Sequence, residues 1–359
     1  SMKAALENQV YTLNANGNPS GIKFGQDNGL TLADLKPEKG EKLSYDDPLL
    51  QMYVEQYDLG DAIAALINGD SYSFGPTTVS GKEKAQTVAV ADDGPMGFDS
   101  YTAGKGAEVK SENDPYNAEN DPDYETYKDT PMRILPTGVN IGATWNAELN
   151  REAGEMMGNL ALWNGAAAIQ GPGSNTHRNA YNARNHEYYS EDGLLSGVMM
   201  SAYCGGAWDY GLICTVKHFA FNDTELNRMG VNAYMSEQRA RENELRAFQV
   251  GIEEGNVTGI MMGMNRAGSY FVGSNPGLMH IIRNEWAFTG FIETDMTMGT
   301  YDNNRDSLAA GIDSMLHAIT DDKVAASRDE LLKKWSGDTQ YATGTASEAV
   351  AEDAYFLSQ

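Results

Sequence analysis

From residue 87 to residue 316 the chain alternates between two patterns, and this alternation restricts its fold more than any other feature. Short apolar runs, too brief for helices, are Thr87–Val90, Ala166–Ile169, Ile213–Val216, Gly259–Met262, Gly290–Ile292 and Ser314–Leu316. Between them lie longer stretches with apolar residues three and four apart, the spacing of one helix face. Asn146 offers an N-cap to a helix with Leu149, Ala153, Met156, Leu160 and Trp163 on one stripe, closed by Gly165. Further helices are expected near 193–203, after Ser236 (with Ala240, Leu245, Phe248 and Ile252 inward and Gly255 as the stop), near 276–286 and near 305–310. A helix over 46–67 precedes the series, and a terminal one covers 346–357. Continuously apolar strands separated by helices predict a parallel sheet covered on both faces. About seven such units over roughly 290 residues fit a closed barrel better than an open sheet. No Gly-x-Gly-x-x-Gly or Gly-Lys-Ser/Thr follows a strand, which removes the best signature of a nucleotide-binding sheet. The expectation is α/β, a (β/α)8 TIM-type barrel with its units all present or in part missing or distorted.

Residues 1–45 are polar and rich in Gly, Asn and Lys, and read as an irregular lead-in or linker ahead of a barrel domain over 46–359. Residues 99–130 interrupt the alternation with an acidic, Asn/Pro/Tyr-rich insertion. Its oxygen ligands are abundant, but their spacing matches no calcium loop, so a solvated loop is expected and no metal or cofactor.

Twenty-six basic against fifty-one acidic residues give a net charge of −25. That field repels nucleic acid and anionic membranes and suits a neutral substrate such as a sugar. No run reaches the roughly 18 apolar residues of a membrane span. Cys204 and Cys214 are the only cysteines and read as a chance pair, not a bridge. The opening Ser1-Met2-Lys3 lacks the apolar stretch of a leader, and the compartment, cytoplasmic or extracellular, stays open.

In a barrel the residues just past each strand face the active site. Here they are Asp93, the loop with Asn175, Arg178 and Arg184, then Lys217-His218, and Asp295. Plainer readings exist for each. Asp93 before Gly94-Pro95 could start a turn, Arg184 could form surface pairs with Glu187, Glu191 or Asp192, and Asp295 could cap a helix. Lys217 at the end of a buried strand is harder to explain structurally, because a buried lysine needs a partner. Together the set suggests sugar handling, with cations and carboxylates for hydroxyls and an anionic carboxylate for an anomeric carbon. A Schiff-base role for Lys217, as in barrel aldolases, is opposed by the neighbouring carboxylate.

Gly171-Pro172-Gly173-Ser174-Asn175-Thr176-His177-Arg178-Asn179, continued by the segment from Ala183-Arg184 to Glu191-Asp192, resembles the signature loop of glycoside hydrolase family 3 β-glucosidases. Val216-Lys217-His218-Phe219-Ala220-Phe221-Asn222, with Asn227-Arg228-Met229 behind it, resembles that family's Lys-His strand. Asp93-Gly94-Pro95, Leu135-Pro136-Thr137-Gly138 and Arg283-Asn284-Glu285-Trp286, leading on to Thr294-Asp295, fit as well, in order from about 90 to 320. The resemblance implies a retaining exo-glycosidase, of bacterial type, acting on terminal β-glucosides or β-xylosides. Asp295 would be the nucleophile. Asp93, Arg184, Lys217 and His218 would hold the sugar, with Arg178 and Arg228 as further candidates.

Three departures stand out. Met264 replaces a common tyrosine, Met296 replaces a common tryptophan, and no α/β sandwich domain, the usual source of the acid/base glutamate, follows the barrel. The pattern is that of a permuted, multidomain enzyme cut to its barrel, with the sandwich domain of the same protein as its missing partner. Glu225 and Glu187 are in-chain candidates for the proton donor. A carbohydrate-binding pseudoenzyme is the alternative, suggested by the two methionines.

Overall fold

The computed structural model describes residues 25–30, 32–35, 47–56, 90–92, 135–164, 168–295, 307 and 310–315. Asp93, the 99–130 insertion, Met296 and the 346–357 helix lie outside these residues, as does most of the 305–310 helix, of which Ser307 and Ala310 are helical.

Helix α1, Pro48–Val54, starts where Asp47 accepts from the Leu49 amide and proline fills the first position, where a missing N–H costs nothing. It is shorter than the helix expected over 46–67: a turn follows to Gln56, beyond which the chain leaves the described residues. Part of the lead-in is ordered against it. Leu32–Leu35 forms a 3-10 turn, Leu35 packs on Tyr53, and the Gln56 side chain bonds both the N–H and the C=O of Leu30 at 2.8 and 3.0 Å.

The main sheet has five parallel strands: β1 (Val90–Asp92), β2 (Ala168–Gln170), β3 (Ile213–Phe219), β5 (Gly259–Met262) and β8 (Phe291–Glu293). Their spatial order is their order in the chain, without reversal. A further parallel bridge, Glu293 to Ser314, continues the series. Among the described residues this sheet is parallel and does not close. β4 (Asn232–Ala233), β6 (Arg266–Ala267) and β7 (Tyr270–Phe271) make a separate small sheet from the loops after β3 and β5.

Short α2 is Gly138–Gly142 and α3 is Ala147–Asn164, which Asn146 caps by accepting from the Leu149 amide at 3.1 Å. The buried face of α3 differs from the expected stripe. Leu149 is exposed, and Asn150, Gly154, Met157, Gly158 and Ala161 turn inward, one position along. Small residues win that face because α4, Gly193–Trp208, crosses at backbone contact. A Cβ on Gly154 would lie 2.1 Å from the Tyr203 carbonyl oxygen, and one on Gly206 would lie 2.2 Å from that of Arg151. Hydrophobicity alone pointed to leucine and tryptophan, whereas close helix approach selects glycine.

On its other side α4 meets a long helix capped by Ser236. This begins as α5, Glu237–Arg239, passes through a π-helical stretch over Ala240–Glu244, and continues as α6, Arg246–Glu254. α7, Pro276–His280, runs into a second π-helical stretch over Ile281–Glu285. The core lies between these helices and the sheet, around Ile169, Val216, Ile260 and Ile292, with Phe219 edge-on to Phe248 and Trp286. Cys204 and Cys214 are buried within it as thiols, not as a disulfide. No helix among the described residues is long and apolar enough to cross a membrane.

Candidate functional site

The end of β3 carries the site. The sequence suggested that the strand stops at Val216, but the ladder continues through Lys217, His218 and Phe219 because the Gly-Pro-Gly loop pairs with it. Lys217 donates its N–H to Pro172 O and accepts from Ser174 N at 2.8 Å. Asn175 then closes a side-chain copy of a strand pair, giving Nδ2 to His218 O at 2.8 Å and taking His218 N at 2.7 Å. Lys217 and His218 are both buried, and a register shift between Val216 and Phe219 marks the irregular strand end. Phe221, two residues beyond Phe219, takes a left-handed φ of 66°, a conformation that costs a non-glycine residue about 1 kcal/mol.

His218 stands between three side chains. Arg184 Nη1 lies 3.1 Å from its Nε2, Tyr188 Oη 3.1 Å from its Nδ1, and Asp295 Oδ2 3.7 Å from Nε2. Arg184 does pair with Glu187, but not at the surface. Its Nε and Nη2 meet the two carboxylate oxygens at 2.6 and 2.7 Å, both residues are largely covered, and the third nitrogen is left for His218. Burial works against the guanidinium charge, yet the bonds to Glu187 and the charges of Glu187 and Asp295 outweigh it, raising its pKa. Burial pushes the Tyr188 hydroxyl up as well. His218 moves the other way: burial, then the cations Arg184, Lys217 and Arg228, lower its pKa well below the ordinary value.

Arg228 pairs with Glu225 at 3.3 Å, and Glu225 Oε1 is buried without a hydrogen-bond partner among the described residues. Arg178 spends two nitrogens on Asp223, whose bond holds its pKa up, while Asn179 bonds Thr224 at 2.9 Å. Met264 is buried beside the site strand β5. Asp295 follows β8, whose entry is fixed by Arg283: Nη1 donates to Gly290 O at 2.6 Å, and Nη2 to Asp313 Oδ2, which also takes the Ile292 amide. Arg184, Lys217, His218 and Asp295 thus come together, Arg228 acts on them through its charge, and Asp93 falls outside the described residues. Tyr188 and Asp223 had not been singled out. Buried tyrosines in an Asn-rich loop carry no spacing signal, and Asp223 would have been found only by seeking a counter-charge for Arg178.

The glycosyl hydrolase family 3 N-terminal domain model matches residues 127–340. The chain is 33% identical over 212 residues to a probable β-glucosidase J of Emericella nidulans, covering 55% of this chain and 25% of that protein. A β-glucosidase of Rhizobium radiobacter is 32% identical over 180 residues, covering 50% of this chain and 22% of the relative. The chain therefore spans about a quarter of the length of the curated relatives it matches. Among solved structures, a β-glucosidase from Paenibacillus barengoltzii superposes with a TM-score of 0.67 at 26% identity, over 100% of this chain and 36% of that one. β-Glucosidase 3B from Thermotoga neapolitana gives 0.61 at 25% identity, over 83% and 41%. With the family model spanning more than half of its residues, the chain belongs to the glycosyl hydrolase family 3 N-terminal domain family.

Proposed function

We propose that this chain is the nucleophile-bearing barrel of a retaining β-glucosidase, with Asp295 as the nucleophile. The carrying observation is that Asp295, from the end of β8, lies 3.7 Å from His218, from the end of β3, within the charge of Arg184 from the loop after β2. Three separate strand ends converge on one carboxylate. The unreversed strand order, extended by the Ser314 bridge, supports a sheet that goes on to close as a (β/α)8 barrel.

In this reading Asp295 attacks the anomeric carbon while an acid protonates the departing glycosidic oxygen. A glycosyl-aspartate forms, and water then releases the sugar with retention. Lys217, His218, Arg184, Arg228 and Asp93 hold the hydroxyls of the terminal β-glucosyl or β-xylosyl unit, where contacts that tighten in the transition state lower the barrier. Arg178 serves the loops through Asp223 instead of touching the sugar. Glu187 is committed to Arg184, which disfavours it as the acid and leaves Glu225 or a glutamate of an α/β sandwich domain as the donor.

The test is trapping with 2,4-dinitrophenyl 2-deoxy-2-fluoro-β-glucoside, read by peptide mass. A fluoroglucosyl adduct on Asp295, absent in Asp295→Ala, is expected; label on another residue, or none, would reject the assignment. Comparing dinitrophenyl with phenyl glucoside locates the acid. A burst only with the better leaving group places it outside this chain, and equal turnover places it inside.

A further inference from the structure

The protons on His218 follow from its partners. A guanidinium has five N–H donors and no acceptor, so in the 3.1 Å contact between Arg184 Nη1 and His218 Nε2 the ring nitrogen accepts. Nε2 is then bare. A neutral imidazole carries its single proton on the other nitrogen, so Nδ1–H donates to the Tyr188 hydroxyl oxygen at 3.1 Å. The remaining possibility, a doubly protonated ring, would face Arg184 with donor against donor, and burial opposes it too. Tyr188 is completely buried, edge-on to the imidazole with ring centroids 6.2 Å apart, so its hydroxyl has little freedom to leave.

We propose that Tyr188 is a positioning residue that, together with Arg184, locks His218 in the Nδ1–H tautomer, so that the Nε2 edge nearest Asp295 carries no proton and its lone pair is held by Arg184. One consequence follows. Asp295 receives no hydrogen bond from His218 across the 3.7 Å separating them, and its carboxylate keeps its electron density for attack. That consequence for attack rests on the β-glucosidase reading; the tautomer does not.

The chain labelled with ¹⁵N-histidine tests this by long-range proton–nitrogen correlation at neutral pH. Its five histidines are distinguished by comparison with His218→Asn. His218 should show a protonated Nδ1 and a bare Nε2, and Tyr188→Phe, nearly isosteric, should convert this to a mixed pattern. An Nε2–H pattern in the parent protein overturns the proposal, as does a pattern unchanged in Tyr188→Phe. Fluoroglucoside labelling of Asp295 adds a functional readout: Tyr188→Phe should slow it about tenfold, the lower end of what losing an orienting partner costs, and an unchanged rate would overturn the positioning role. If the parent chain shows the expected tautomer but never labels, the glycosidase reading fails and the lock stands.

Discussion

Arg178 holds Asp223 with two of its nitrogens, one on each carboxylate oxygen, and so clasps the loop that follows β2 to the loop that follows β3. The partners are unequally covered: the Asp223 side chain is 3% exposed and that of Arg178 37%. Removing the arginine strands a buried charge, whereas removing the carboxylate charge frees a guanidinium that can reach water. Arg178→Ala should therefore cost about 3 kcal/mol and Asp223→Asn only about 1 kcal/mol. Urea denaturation of the two variants checks the order, and equal losses would contradict it.

The crossing of α3 and α4 leaves no room for a side chain at Gly154 or Gly206. Valine at either position must push backbone against backbone, and a loss of about 3 kcal/mol or more is expected. Valine at the exposed Gly211 (φ 79°, nothing within 4 Å) should cost less, through backbone strain alone. Thermal melts of the three variants separate close packing from strain.

Stability should fall below pH 6.5 through His218. Its folded pKa is lowered, so between its ordinary 6.5 and that lower value the unfolded chain binds a proton that the folded one refuses. Each pH unit in that window then removes about 1.4 kcal/mol, and above 6.5 the group is neutral in both states and contributes nothing. The charged groups acting on the ring are Arg184, Lys217 and Arg228, with Asp295 close by. Unfolding free energies from pH 7 to pH 5 should show this slope in the parent protein and lose it in His218→Asn.

Arg283 anchors the start of the strand that presents Asp295. Arg283→Ala should free the Asp313 carboxylate and loosen the Ile292 amide it accepts. Hydrogen exchange at Ile292 is expected to speed up about tenfold or more, with the core amides of β3 little changed. Uniform acceleration throughout the sheet would mean that Arg283 supports the whole fold.

The alternation of short apolar runs with helices was enough to place β2, β5 and β8 within a residue or two, because a strand buried on both faces leaves a continuous apolar signature. The inward face of α3 was not legible, since the determinant there is the absence of side chains where two helices touch. Lys217, His218 and Asp295 could be singled out as candidates because charges at the ends of apolar strands are conspicuous, and the structure brings them together. Arg184 was found with its partner Glu187, yet its burial was not, since local spacing does not reveal what covers a loop. Tyr188 was missed for the opposite reason: its chemistry lies in one hydroxyl, in a segment already rich in polar residues.

Gly173 borders the same arrangement from behind. A Cβ there would sit 2.8 to 2.9 Å from two carbons of the Tyr188 ring. The vacancy at this glycine is the seat of that ring, so on the proposed tautomer lock a side chain at position 173 would act on a histidine two contacts away. One methyl group added on this loop would then undo the lock with Arg184, His218 and Asp295 all unchanged.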